Sequence, residues 1–199
     1  MVSKKSISTK EKIFNEAIRL FSDNGYSEVS VRDIASNTGI NVSSLYFHYP
    51  SKEEILSMLY DYYMKNWKAA APDIAHLLKL CETAPVFEIF EALDFRFPPE
   101  VKDKMNRIVK IAVRQMTICS KSENFIRERF LKDCTEALSV ILDRLILLNR
   151  IEPFDINAFV CLVSRYAVCA AIFNSTTLEV KEDEWRAGLS LAFSLIKPK

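Results

Sequence analysis

Two short helix signals separated by a glycine, between Ser30 and Lys52, constrain the fold of this chain more than any other feature. Ser30 precedes Asp33 by three residues, the spacing of a capping box at the start of a helix. Gly39 can adopt a positive φ angle and so turn the chain at the end of that helix. Asn41 can then cap a second short helix. The pattern predicts a helix-turn-helix, a motif whose second helix enters the major groove of DNA.

The second helix of this motif is predicted to expose an uncharged face. Leu45 and Tyr49 are four residues apart and are expected to point inward, which turns Ser43 and Phe47 outward. The helix contains no Lys, Arg, Asp or Glu, although a solvated helix face is usually rich in them. The alternative is a helical hairpin packed against another part of the protein, and we favour DNA recognition.

Residues Thr9 to Tyr60 resemble the N-terminal DNA-binding domain of the TetR (tetracycline-repressor) family. The matching elements are IFNEAIRLFSDNGY, SVRDIA, TGI and LYFHYPSKEEIL, together with their mutual spacing. The resemblance implies a homodimeric repressor whose C-terminal domain binds a small-molecule effector and thereby releases a double-stranded DNA operator.

By position, the resemblance assigns base contacts to Arg32, Ser43 and Phe47, and Val42 lies on the flank of the same face. Many family members read Ser-Lys-Gly-Thr where this chain has Asn41-Val42-Ser43-Ser44, so its recognition helix lacks a lysine and a glycine. The operator sequence therefore does not transfer from a relative. Phosphate contacts are assigned to Ser30, Ser44, Tyr46, His48 and Lys52.

The charge distribution is only weakly asymmetric. Residues 1–52 hold seven Lys and Arg against five Asp and Glu, while the remainder holds 20 against 21. This balance is typical of a modular DNA-binding protein that uses few phosphate contacts. We predict a DNA-binding domain over 1–52 and a helical effector-binding and dimerisation domain over 53–199.

The rest of the chain has helical periodicity and no strand-like alternation of any length, so the fold is predicted to be all-α. A long helix from Ser51 to near Pro72 is expected to connect the two domains and to act as a lever between them. Further helices are predicted over 73–82, 85–95, 99–118, 123–149, 155–175 and 182–196.

The last two predicted helices carry small residues that permit close helix approach, beside larger apolar ones. We favour a homodimer interface here over an ordinary intramolecular hairpin, because reading two half-sites requires two recognition helices. The predicted interface comprises Ala167, Ala170, Trp185, Gly188, Leu189, Ala192, Phe193 and Ile196.

A ligand pocket is predicted from aromatic and sulfur side chains in the middle of the chain, although such a set also suits plain core. Arg165 is the only charged residue between Asp155 and Glu179. It can clamp a ligand carboxylate or phosphate, pair with an acidic residue, or reach solvent. The other pocket candidates are Trp67, Phe87, Phe90, Met105 and Met116.

Several functional classes have no signal in the sequence. The five cysteines show no CxxC spacing, and we expect buried free thiols in a reducing cytoplasm. No signal peptide is evident, and the longest uncharged apolar window has 13 residues, short of the ~20 that span a bilayer. His48 and His76 lie in no catalytic or metal-binding pattern, so we predict no enzyme, metal or cofactor. The alternative function is a ligand-independent DNA-organising or division-control protein on the same scaffold.

Overall fold

The computed structural model describes residues 8–71, 73–92, 97–174 and 181–199, and these ranges are helical with no β-strand. The all-α fold with an N-terminal helix-turn-helix is therefore confirmed. None of the described helices is both long and apolar enough to cross a lipid bilayer. The helices are α1 (Thr9–Asn24), α2 (Val31–Thr38), α3 (Val42–His48), α4 (Lys52–Ala70), α5 (Ile74–Thr83), α6 (Val86–Glu91), α7 (Pro99–Gln115), α8 (Ser120–Asn124), a π-helix (Phe125–Leu131), α9 (Lys132–Leu147), α10 (Ile156–Asn174) and α11 (Glu182–Ser194).

Side-chain caps fix where the N-terminal helices begin. The Ser8 hydroxyl accepts a hydrogen bond from the Glu11 amide at 3.2 Å, which starts α1. The Ser51 hydroxyl accepts one from the Glu54 amide at 3.2 Å, which starts α4. Each such cap stabilises a helix by about 1 kcal/mol. The start of α4 agrees with the long helix predicted from Ser51.

The buried side chains form two hydrophobic cores. The first core joins α1–α4 to α7 and to the start of the π-helix, and the second joins α5, α6, α9, α10 and the end of α11. The helices that precede residue 52 therefore share an apolar core with helices that follow it. The domain boundary at that residue stays a prediction. Fully buried members of the first core include Ile13, Phe21, Leu45, Leu59 and Ile108.

The junction between α4 and α8 is aromatic and hydrogen-bonded. The hydroxyls of Tyr60 and Ser122 lie 2.7 Å apart, and burial raises the pKa of Tyr60. The Phe125 ring stacks on Tyr60 with centroids 4.3 Å apart and meets Tyr63 edge-on at 5.1 Å. This junction ties the long helix α4 to the body of the protein.

The prediction of one continuous α-helix over 123–149 is wrong, because part of this segment is π-helical. The chain is π-helical from Phe125 to Leu131 before α9 begins at Lys132. A π turn holds more residues than an α turn, so it rotates the face that follows it. Phe125 thus faces the first core while Leu142 of α9 faces the second. Apolar periodicity alone does not reveal this change of register.

Two arginines of α7 bind the C-terminal end of α1. Arg107 donates to the Ser22 hydroxyl at 3.2 Å and to the Asp23 carboxylate at 3.3 Å. Arg114 donates to the Ser22 carbonyl at 2.9 Å. A cation at a helix C-terminus is favourable because the last carbonyls carry partial negative charge. Sequence reasoning missed this contact, since the partners are more than 80 residues apart.

The cysteines are less buried than we expected. Cys81 is buried, Cys119 and Cys161 are half-buried, and Cys169 is exposed, all as free thiols. The side chain of Cys134 lies outside the described part of the chain. The expectation failed for Cys169 because α10 is apolar around most of its circumference, so its outward face cannot be read from periodicity.

Candidate nucleic-acid interface

The start of α2 is fixed by a complete capping box. The Ser30 hydroxyl accepts from the Asp33 amide at 3.2 Å, and the Asp33 carboxylate accepts from the Ser30 amide at 2.7 Å. Hydrogen bonds from the Ser30 side chain and amide hold the pKa of Asp33 below its usual value. The carboxylate is therefore ionised at neutral pH and keeps Ser30 in place beside the predicted interface.

The turn between α2 and α3 depends on a left-handed glycine. Gly39 has φ 71° and ψ 29°, and a Cβ atom added there would meet nothing within 4 Å. The glycine is therefore required by its backbone conformation and not by lack of space. Asn41 follows and accepts a hydrogen bond from the Ser44 amide at 2.7 Å, which starts α3. These two residues set the angle between α2 and the predicted recognition helix.

One face of α3 is buried and the opposite face is open. Leu45 is 0% exposed and Tyr49 is 5% exposed, whereas Phe47 is 86% exposed. Ser43 is exposed beside Phe47 on the outward face. The predicted orientation of the helix is thus confirmed. Of the flanking residues, Tyr46 is exposed and Val42, Ser44 and His48 are half-buried.

A surface cleft of about 540 Å³ runs beside α3 along the start of α2. Four of the residues predicted to bind DNA line it together, and they supply two cations and two hydroxyls. Glu28 brings a carboxylate to the same cleft. The predicted base and phosphate contacts therefore lie on adjoining surfaces. The four residues are Ser30, Arg32, Tyr46 and Lys52.

The ammonium of Lys52 is held against aromatic rings. Its Nζ atom lies 4.2 Å from the centre of the Tyr26 ring and 5.8 Å from that of Phe21. Burial lowers the pKa of Lys52, and the charges of nearby carboxylates, Glu53 foremost, oppose that shift. Cation–π contact fixes the position of a side chain that is otherwise flexible. Lys52 is thereby held as a fixed cation at the edge of the cleft.

A third cation, Lys10, lies at the C-terminal end of α3. Lys10, in the first turn of α1, is exposed, and its Nζ atom is 5.5 Å from the centre of the Tyr49 ring. Tyr49 caps α3, so this lysine stands next to the recognition helix although it is distant in sequence. Neighbouring helices thus supply the positive charge that α3 itself lacks.

In the part of the chain that the structure describes, the ligand-pocket candidates are distributed over two hydrophobic cores and the surface. Met105 is buried in the first core, and Trp67 packs against that core. Phe90 packs against the second core, and its ring stacks on that of Phe193 at 4.3 Å. Phe87 is 66% exposed. Met116 is half-buried, and Arg165 is exposed to solvent. A second surface cleft, of about 220 Å³, lies near Phe154, and none of the candidates lines it.

Part of the predicted dimer interface faces the interior of this chain. Ile196 is 5% exposed, and Ala192 and Phe193 pack against the second core. Gly188 lies against Tyr166, whose ring occupies the space that a Cβ atom would need. Leu189 is half-buried, and the side chains of Ala167, Ala170 and Trp185 lie outside the described part. The outward face of α11 instead carries Leu191 at 70% and Leu195 at 64% exposure.

The helix-turn-helix segment has relatives among known proteins. Residues 13–59 match the family model described as bacterial regulatory proteins of the tetR family. The helix-turn-helix segment of this chain is thus of the tetR-family type. YttP of Bacillus subtilis, a probable HTH-type transcriptional regulator, is 36% identical over 73 residues, which are 35% of this chain and 35% of YttP. IcaR of Staphylococcus epidermidis, the HTH-type negative transcriptional regulator of the biofilm operon icaADBC, is 48% identical over 46 residues, 23% of this chain and 25% of IcaR. The matches thus span about a third of YttP and a quarter of IcaR.

Solved structures of transcriptional regulators, one of them described as TetR family, are similar over nearly the whole chain. A regulator from Agrobacterium tumefaciens has a TM-score of 0.69 at 19% identity, covering 95% of this chain and 97% of that one. The ketosteroid regulator KstR2 of Mycobacterium tuberculosis has a TM-score of 0.65 at 20% identity, covering 100% of both chains. A transcriptional regulator from Saccharomonospora viridis, solved in complex with choline, has a TM-score of 0.59 at 16% identity, covering 96% and 97%. At these identities the likeness establishes the fold and not a shared ligand.

Proposed function

We propose that this chain is a dimeric, sequence-specific DNA-binding repressor of the TetR family that acts in the cytoplasm and leaves its operator when a small molecule binds. The observation that carries the DNA-binding part is the orientation of α3. Its inward face is anchored by Leu45, while Ser43 and Phe47 are left in solvent on a capped helix. A helix held in this way presents side chains to a groove without rearrangement.

The charges around α3 support DNA over another partner. A helix without charged residues binds a polyanion only if neighbouring elements supply the cations. Arg32 of α2 and Lys52 of α4 do so from the cleft beside α3, and Lys10 of α1 does so from the end of α3, over Tyr49. Ser43 and Phe47, the proposed base contacts on α3, would specify the sequence, while the proposed phosphate contacts in the cleft would position the protein.

We infer that dimerisation uses the outward face of α11. Leu191 and Leu195 are four residues apart and lie on one stripe, with the small residues Ala187, Ser190 and Ser194 also exposed. Leu162 of α10 is a further exposed apolar residue, at 53%. Two copies joined here would bring two recognition helices to half-sites ~34–36 Å apart.

The effector remains part of the proposal, with α4 as the connecting element. This helix begins at the DNA-facing cleft with Lys52 and stacks Tyr60 and Tyr63 on the π-helix. The choline complex of a protein with the same fold supports a small molecule as the signal. The dispersal of the pocket candidates over two packed cores supports the alternative, a ligand-independent DNA-organising protein.

Selection of bound duplexes from a random pool by the full-length protein tests the DNA-binding function. We expect one palindromic motif to be enriched. Enrichment of no motif would overturn the proposed sequence specificity. A metabolite screen against the selected duplex then separates the two mechanisms, since release by a small molecule supports the repressor and uniform indifference supports the organising protein.

Lys52→Ala is expected to weaken binding to every duplex alike, because Lys52 contacts phosphate. The slope of log K against log salt concentration should become shallower by about 1 per half-site. Fluorescence anisotropy across a salt series measures this slope. Lys68→Ala, at the exposed far end of the same helix and about 24 Å along its axis, is the matched control and should leave the slope unchanged. Equal slopes for Lys52→Ala and wild type would contradict the assignment.

A further inference from the structure

Phe47 is the most exposed large hydrophobic side chain in the described part of the chain, at 86%. Apolar surface left in water is unfavourable, and that free energy is recovered when the ring is covered. The edge of the ring is supported by His48, whose centroid lies 5.5 Å away at an interplanar angle of 75°. The helix that carries Phe47 is anchored in the first core by Leu45, which is 0% exposed. The ring is therefore a fixed apolar projection from α3.

The two adjacent aromatic residues of α3 face different surfaces. Tyr46 lines the cleft together with Lys52 and Arg32, and it carries a hydroxyl that can donate to a phosphate. Phe47 does not line that cleft, lies on the outward face with Ser43, and has no hydrogen-bonding group. It therefore has no means to bind a phosphate or to read a base through hydrogen bonds.

The major groove offers one apolar group that such a ring can cover. Among the base edges exposed there, only thymine carries a methyl group, at C5, while the others present hydrogen-bond donors and acceptors. The exposed serine of the same face, Ser43, pairs with either a donor or an acceptor and so discriminates poorly. The ring is thus the group on this face best suited to select a base.

We propose that Phe47 reads the C5-methyl group of one thymine in each half-site of the operator. This inference rests on the proposed function, because it requires that α3 enters the major groove. It specifies that each half-site of the operator must present a thymine methyl group to α3. Covering one methyl group makes binding about fourfold tighter per half-site.

The test uses the full-length protein and the duplex obtained by selection from a random pool. Each thymine is replaced singly by deoxyuridine, which removes the methyl group and keeps the base pair. Affinities are measured by fluorescence anisotropy for wild type, for Phe47→Ala and for Ile118→Ala, which removes an exposed apolar side chain outside the helix-turn-helix. We expect one thymine per half-site where uracil weakens wild-type and Ile118→Ala binding about fourfold, and where Phe47→Ala binds thymine and uracil equally.

Two results would overturn the inference while leaving the proposed function intact. The first is tight wild-type binding with no thymine whose methyl group matters. The second is a methyl effect of the same size in Phe47→Ala as in wild type. Failure to select any duplex would instead remove the proposed function, and this inference with it.

Discussion

Replacing Leu191 and Leu195 together by glutamate is expected to yield a monomer that has lost operator affinity by a factor of about 10²–10⁴, the usual gain from linking two binding modules. Both side chains are more than 60% exposed, so the charges are tolerated in a free monomer. In a dimer built on this face, four carboxylates would lose water without partners. Light scattering after gel filtration measures the mass, and fluorescence anisotropy measures the affinity.

Ile118→Glu is the control for this prediction, because Ile118 is 72% exposed in the turn between α7 and α8. We expect it to remain dimeric and to bind the operator as wild type does. A Leu191→Glu, Leu195→Glu variant with the mass of a dimer would show that the two copies meet elsewhere. The residues of the originally predicted interface that face the second core, Ala192, Phe193 and Ile196, would then have to be tested as the dimer interface.

The second large effect concerns the junction of α4 with the π-helix. Phe125→Ala should lower the free energy of unfolding by about 3–5 kcal/mol, the range for truncating a buried aromatic residue. Phe125 is 4% exposed and contacts the rings of both Tyr60 and Tyr63. The variant leaves a cavity beside the hydrogen bond from Tyr60 to Ser122. Urea denaturation followed by circular dichroism measures the change.

Phe87→Ala provides the comparison, because it removes the same ring from a site that is 66% exposed. Its effect should stay within about 0.5 kcal/mol, as for most surface substitutions. Similar losses for the two variants would show that the aromatic junction does not hold α4 to the body. The aromatic junction would then not be the connection through which the long helix acts as a lever.

Local chemistry explains what the sequence predicted well. Ser30 and Asn41 cap amides three residues further on, and Gly39 turns the chain through its own positive φ, so these roles follow from local sequence, and each is confirmed. The orientation of Phe47 is also local, because it depends only on Leu45 and Tyr49 turning inward. What these exposed residues bind stays a prediction.

Contacts between distant segments were not predictable in the same way. Arg107 and Arg114 donate hydrogen bonds to Ser22 of α1, and no spacing rule connects residues this far apart in the sequence. The face of α11 was ambiguous because both sides carry large apolar residues, Phe193 inward and Leu191 outward. Periodicity identifies an amphipathic helix only when one side is polar.

The first core runs without interruption from Ile13 in α1 to Phe125 at the start of the π-helix. Close-packed interiors have discrete arrangements and do not deform continuously. The helix-turn-helix is embedded in this core, so it cannot tilt by a few degrees while the other helices of the core stay in place. A signal that releases the operator would therefore shift the protein between two complete packing arrangements. Intermediate concentrations of that signal would change the fraction of molecules in each arrangement and not the distance that each molecule moves.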